Sequence, residues 1–421
     1  MLMKIKTILP LALLLSVLTA KGQTLTLDEC RTAARENYPL ARRYGLVERS
    51  RDYTLSNASK AWLPSVSLSA SGVAFTDIIR ENERTQLMGL DMNNTAASAT
   101  LSVRQTVYDG GRISAARSAA QAEADKQTHA LDTKIYEVDE RVEQLFFGIL
   151  TIDEQLKQIG LLMDDLALSH RTVESMLRNG TALQADLDAV SVEQLKAEQQ
   201  EAAFEASRTA YLQMLGTLTG MGDLSQAELV RPAAPVQGNG QEVSEGHPML
   251  QYYLSEERRI DAERLRLNAN LRPTLSLFGM GLAHTKVSGL LNNTTFLGGL
   301  TLSWNIGALY TRKNDLAQLD LQRQTVVNDR ERFLFNNRLD NEQAQGAVAR
   351  LRQQISKDEE IVLLRQRIRT TSDRRVTLGT ETVNENLRTI NAVSEARQQK
   401  ALHEIELLKE IYSIKHLNYE H

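Results

Sequence analysis

The stretch that most constrains this chain is Ile113–Leu177. From Leu131 onward, positions 131, 135, 138, 142, 145, 149, 152, 156, 159, 163, 166, 170, 173 and 177 follow an alternating four-three spacing, and all are Leu, Ile, Val or Met except His170. Such a seam specifies a helix that packs lengthwise on others. The stretch holds no proline and two glycines, Gly148 and Gly160, so its 65 residues predict a rod of about 100 Å at ~1.5 Å rise per residue. A rod of that height suits a protein that crosses a distance rather than one that encloses an active site.

The address follows from the first residues. Met1–Gly22 has Lys4 and Lys6, an apolar run Ile8–Leu18 broken by Pro10, and the small-x-small ending Ala20-Lys21-Gly22, which together read as an export signal. The run is shorter than the ~20 residues a membrane helix needs, and no other stretch comes near, so if this chain crosses a membrane it does so with strands. Cys30 is the one cysteine and follows Leu27-Asp28-Glu29 rather than the small apolar context of a lipid-modified cysteine, so it reads as a packed helix residue. A net charge of −4 argues against nucleic acid as a partner.

The prolines expose an internal repeat. Pro39 to Pro64 and Pro248 to Pro273 are both 25 residues apart, and Leu63-Pro64-Ser65-Val66-Ser67-Leu68 answers Arg272-Pro273-Thr274-Leu275-Ser276-Leu277. Val107 to Gly180 and Ile306 to Gly379 both span 73 residues. The chain is one unit written twice: residues 23–219 and 245–421, each read as helix, strand, strand, long helix, helix, with a linker over 220–244 rich in Gly, Pro, Ala and Gln. The second long helix is expected from about Arg312 to Val376, with Val348, Leu351 and Ile355 on one stripe and Ile361, Leu364 and Ile368 on a shifted one, as in a helix packed between two neighbours. Both rods end at a glycine, in Asn179-Gly180-Thr181 and Leu378-Gly379-Thr380.

After Pro64 and Pro273 the hydrophobic period changes to two. Val66, Leu68 and Ala70 alternate with serines, Ala97, Ala99, Leu101 and Val103 with Ser98, Thr100, Ser102 and Arg104, and Leu275, Leu277, Leu300 and Leu302 with Ser or Thr. Any one such segment fits a half-buried strand of a soluble sheet. Four of them in an exported chain point to a membrane barrel with apolar residues outward and small polar residues inward, joined by the charged loops Thr76–Thr95 and His284–Thr294. Four strands cannot close a barrel, and open edges in hydrocarbon would leave backbone groups unpaired, so further copies must complete it.

The residues resemble the TolC family of outer-membrane efflux proteins. The resemblance rests on Leu25-Thr26-Leu27-Asp28-Glu29-Cys30 with Ala33 and Ala34, Tyr38-Pro39-Leu40, Leu63-Pro64-Ser65-Val66, Tyr108-Asp109-Gly110-Gly111-Arg112 and the two glycine tips, and it covers essentially the whole mature chain. It implies a mainly α protein with a membrane β-barrel: a homotrimer in the outer membrane, with four strands per chain in a shared twelve-stranded barrel and a long helical barrel in the periplasm. The tips would meet a periplasmic adaptor protein and, through it, an inner-membrane pump. No cofactor is implied. The second repeat departs from the pattern, with Asn305-Ile306-Gly307-Ala308-Leu309-Tyr310-Thr311-Arg312 where the first has the Asp-Gly-Gly-Arg junction, so its strand-to-helix transition is expected to differ. The family's acidic position six residues after each tip glycine is matched by Asp186 and Glu385, whereas its tyrosine and arginine around the second glycine are replaced by Val376 and Glu381. Arg374, Arg375 and Arg388 are the available replacements, and one of them is expected to pair with Asp186.

The residues singled out thus belong to the tips. If Glu385 points inward, three copies form an acidic ring that holds cations and repels anions; the plainer reading is a solvated helix face. The seven histidines form no metal-ligand spacing, and there is no second cysteine, phosphate loop or nucleophile elbow, so no enzyme is indicated. A periplasmic adaptor with a long helical hairpin is the serious alternative. It would show one hairpin between halves of a soluble β domain, whereas this chain shows two hairpins and two strand pairs.

Overall fold

The computed structural model describes residues 24–74, 95–234, 243–285 and 293–419. The export segment, residues 76–94 and 286–292 of the two charged loops and residues 235–242 of the linker lie outside the described residues, and residues 284–285 and 293–294 belong to strands. The elements run β1 (Thr24–Leu25), α1 (Leu27–Asn37), α2 (Arg42–Lys60), β2 (Ser65–Ala74), β3 (Thr95–Tyr108), α3 (Arg112–Arg178), α4 (Gln184–Thr219), β4 (Glu228–Leu229), α5 (Pro248–Asn270), β5 (Thr274–Thr285), β6 (Asn293–Ser303), α6 (Ala308–Thr377) and α7 (Val383–Asn418). The chain divides into two units, each made of three segments, and α3, α6 and α7 contribute residues to both. Among the described residues no helix is long and apolar enough to cross a membrane.

The first unit takes in the start of the chain, 138–237 and 344–414. Thr26 opens α1 with a reciprocal cap: its hydroxyl accepts the Glu29 N–H at 3.3 Å, and the Glu29 carboxylate accepts the Thr26 N–H at 2.9 Å. Tyr38 is extended, as the residue before a proline must be, and this stops the helix. Leu25, Leu27, Cys30 and Ala34 then pack with Val142, Phe146, Phe147, Leu212, Leu215 and Leu408 in one core. Cys30 is fully buried, and its thiol is pushed up to about 11 by that burial, assisted by the Glu29 charge. Beside this core Arg31 reaches Glu143 at 2.7 Å and Arg35 grips the buried Asp139, so the charged side of α1 is fixed to α3. The short strands β1 and β4 pair in parallel.

The second unit holds the four-stranded sheet, in the order β2-β3-β5-β6 with every neighbour antiparallel. Strand pairs from both repeats join through β3 and β5. The register sorts the residues by face. One face carries Val66, Leu68, Leu101, Val103, Leu277, Gly279, Gly281, Phe296, Leu300 and Leu302. The other carries Ser67, Ser69, Ser71, Ser98, Thr100, Ser102 and Arg104 from β2 and β3, with Ser67 to Ser102 at 2.7 Å and Ser71 to Ser98 at 2.8 Å hydrogen-bonded across the strands. Large apolar side chains on the first face are open to the surroundings, Leu68 at 76 % and Phe296 at 84 % exposure, so this chain alone does not cover them.

The two strand-to-helix junctions differ, as their sequences predict. In the first, Gly110 and Gly111 take φ of +70° and +86°, and the Asp109 carboxylate accepts the N–H groups of Gly111 at 2.9 Å and Ile113 at 2.7 Å to start α3. A Cβ on Gly110 would stand 2.9 Å from the Arg272 Cβ. At the second junction no such cap forms among the described residues; Leu309 and Tyr310 bond back to the carbonyls of Ile306 and Gly307 at 3.0 and 3.1 Å, and Trp304 donates to the Leu271 carbonyl at 2.9 Å.

Candidate functional site: the helical tips

Each long helix stops by the same geometry. Gly180 and Gly379 have φ of +74° and +71°, conformations that glycine alone adopts without cost. The N–H of Gly180 bonds the Leu177 carbonyl at 3.0 Å and that of Thr181 the Met176 carbonyl at 2.9 Å; Gly379 to Val376 and Thr380 to Arg375 repeat the pair at 2.9 Å each. The threonine hydroxyls add a bond to the same carbonyls, at 3.0 and 3.1 Å. Four helix-end carbonyls are thereby satisfied without a partner molecule. Asn179, Gly180, Thr181, Leu378, Gly379 and Thr380 are all exposed, with Leu183 at 71 % and Leu378 at 75 %.

The acidic residues after each glycine start the return helices. An oxygen of Asp186 accepts the Leu183 N–H at 2.9 Å. Glu385 accepts from the Thr382 N–H at 3.2 Å and its hydroxyl at 3.1 Å, while that hydroxyl receives the Glu385 N–H at 3.2 Å. Both carboxylates therefore sit at helix N-termini, where the backbone dipoles favour negative charge. Arg374, Arg375 and Arg388 are exposed. Among the described residues no ion pair within the chain joins any of them to Asp186; Arg375 stands 4.0 Å from Glu381.

What holds the two hairpins together lies slightly back from the tips, where seam residues of α3 meet apolar residues of the other three helices. Leu166 and Val173 of α3, Val190 and Ala197 of α4, Val376 of α6, and Val383, Leu387 and Ile390 of α7 form one core. Val376, at the family's tyrosine position, is a core residue here. Glu381, at its arginine position, accepts a bond from the buried Ser372, whose oxygen also takes the Asn386 amide at 3.2 Å. Charged links cross between hairpins: Asp165 of α3 meets Arg369 of α6 at 2.5 Å and Arg397 of α7 at 3.8 Å, and Asn391 of α7 donates to Glu193 of α4 at 2.9 Å. No sequence signal marks these pairs, because partners 198 and more residues apart in polar positions of two helices have no periodicity of their own.

The chain matches the outer membrane efflux protein family over residues 32–221. No curated protein matches it in sequence. In structure it is similar to the outer-membrane channel OprN, at 13 % identity and a TM-score of 0.71, covering 93 % of this chain and 89 % of that one. VceC, an outer membrane protein of Vibrio cholerae, aligns at 13 % identity and 0.68 over 93 % and 94 %. The Campylobacter jejuni outer membrane channel CmeC aligns at 14 % and 0.68 over 93 % and 85 %. At such identities the likeness is one of fold.

Proposed function

We infer that this chain is a member of the outer membrane efflux protein family, which its residues 32–221 match, and is a passive duct of the outer membrane that conducts cargo delivered by other proteins. The sheet carries the reading: one face is mainly apolar, the other carries a run of hydroxyls on β2 and β3, and among the described residues β2 and β6 are its unpaired edges. Such a sheet is stable in a bilayer only when like sheets close its edges, the apolar face meeting lipid and the other a water-filled lumen. Three copies supply twelve strands, the number the family resemblance implies. A second unpartnered surface supports association: Ile361, Leu364 and Ile368 of α6 are each about half exposed, a stripe that a neighbouring copy's helices would cover.

In this assembly the tips at Asn179-Gly180-Thr181 and Leu378-Gly379-Thr380 dock a periplasmic adaptor, and an inner-membrane pump supplies the energy. Asp186 and Glu385, with Arg374, Arg375 and Arg388, line the aperture, and the Asp165–Arg369–Arg397 link is one of the contacts within each copy that must yield for the hairpins to part. Two hairpins and a four-stranded sheet leave no place for the adaptor alternative, which needs one hairpin within a soluble β domain.

The test uses single cysteines in a Cys30→Ala chain. Leu68→Cys and Leu300→Cys should react in membranes with a lipid-soluble maleimide and resist a charged one, while Ser69→Cys and Thr301→Cys should react with the charged reagent. Equal reaction of all four with the charged reagent would remove the sheet from the bilayer.

A further inference from the structure

The hydroxyl-lined face of the sheet is interrupted by an apolar track. The register that puts Ser102 and Thr100 on this face also puts Phe278, Met280 and Leu282 of β5 there, and Leu297 of β6 lies beside Met280. The Phe278 ring lies across the next strand, with ring atoms 3.1 and 3.3 Å from where a Cβ on Gly299 would be, so the glycine gives the ring its bed. Leu297 is 54 % exposed. Lipid does not explain the track, since the opposite face is the mainly apolar one, Gln105 opposite Leu277 being a polar residue there. The four strands contain one Lys, Arg, Asp or Glu in all, Arg104, and it is exposed and paired in register with Phe278 on this same face. β3 and β5 are the two inner strands of the sheet, so these residues come together within one copy.

We propose that Arg104, Phe278, Met280, Leu282 and Leu297 form a binding track on the inner wall of the barrel for anionic amphiphiles. The apolar body lies along Phe278, Met280 and Leu282, and the sulfonate or carboxylate head meets the Arg104 guanidinium. The charge decides the class: the one charged side chain of the four strands, a cation beside exposed apolar surface, is complementary to a molecule with a negative head and a greasy body, and it repels an amphiphilic cation. From the level of Phe278 to Leu282 is about 13 Å at ~3.3 Å per strand residue, the length of a two- or three-ring body. The inference rests on the duct reading, because only barrel closure makes this face a lumen wall.

The experiment is block of single-channel current in planar bilayers by 1-anilinonaphthalene-8-sulfonate, compared with N-phenyl-1-naphthylamine, which has the same rings without the sulfonate. The anion should block the wild-type channel at lower concentration than the neutral compound. Arg104→Gln should weaken the anion's block about tenfold and leave the neutral compound's unchanged, Arg104→Lys should retain most of it, and Met280→Ser with Leu282→Ser should weaken both. Equal block of wild type and Arg104→Gln by the anion, or equal potency of the two compounds on the wild type, overturns the track while leaving the duct intact. Absence of any channel current from a chain that does not form trimers overturns the duct, and the track with it.

Discussion

At position 247 a histidine is held neutral by two features of its surroundings. It is buried, and its Nδ1 accepts the Met249 N–H at 3.1 Å to cap α5, whose first residue is Pro248. Burial, together with the neighbouring His416, pushes its pKa down to about 4. An unfolded chain takes up this proton near pH ~6.5, so between there and about 4 the unfolded state binds more protons than the folded one. The histidine's contribution is therefore intact above about pH 6.5 and is lost as pH falls, by on the order of 3 kcal/mol in full. Melting temperatures at pH 7.5 and 4.5 should fall less for His247→Asn, which keeps a capping acceptor without titrating; an unchanged drop would refute the assignment. The tip glycines make a second residue-scale test. A Cβ at Gly180 or Gly379 meets nothing within 4 Å, so substitution carries only the left-handed backbone cost of about 1–2 kcal/mol. Gly180→Val or Gly379→Val should leave the trimer assembled, as read by its mass in detergent, and abolish export; loss of the trimer would make the glycines structural. These glycines were legible from their place at the end of each rod. The capping roles of Asp186 and Glu385 were legible only as an acidic position after a glycine, because a one-letter spacing does not separate a carboxylate facing a lumen from one facing its own backbone.

Among elements, α3 was the most legible. No seam residue from Leu131 to Leu177 is exposed, and His170 is half-buried among them, since a four-three pattern keeps one stripe against the neighbours along the whole helix. The strands were legible on β2 and β3, where apolar and hydroxyl residues alternate cleanly. They were less so on β5 and β6, because Phe278, Met280, Leu282 and Leu297 break the alternation and only the pairing register assigns their face. Between these strands an aromatic ring bridges a glycine on each face: Phe296 lies 3.2 Å from a Cβ placed on Gly281, and Phe278 3.1 Å from one on Gly299. Gly281→Val should therefore displace Phe296 and lower the heating temperature at which the trimer dissociates, whereas Gly279→Val, with open space at its Cβ, should not. Between the hairpins, Arg369→Gln removes the main partner of Asp165. It should raise the fraction of time the channel conducts while the trimer's mass is unchanged, and a double-mutant cycle with Asp165→Asn should show a coupling of about 1 kcal/mol. An additive cycle would place the latch elsewhere.

At the scale of the molecule, the doubled proline and glycine spacings read as two copies of one pattern, and the strand pairs that follow Pro64 and Pro273 meet in one sheet through β3 and β5. The sequence could not show that the compact units cut across the repeats, each drawing on three separate segments, because long helices carry one repeat's residues into both. Each unit leaves surface uncovered: in one an apolar sheet face and two sheet edges, in the other an exposed stripe on α6, and all require more copies or lipid. The measurement that tests this most directly is the mass of the detergent-extracted protein taken beside its single-channel current in a planar bilayer. Three chains per particle and discrete current steps are expected. A monomer that leaves the membrane without detergent and carries no current would contradict the duct.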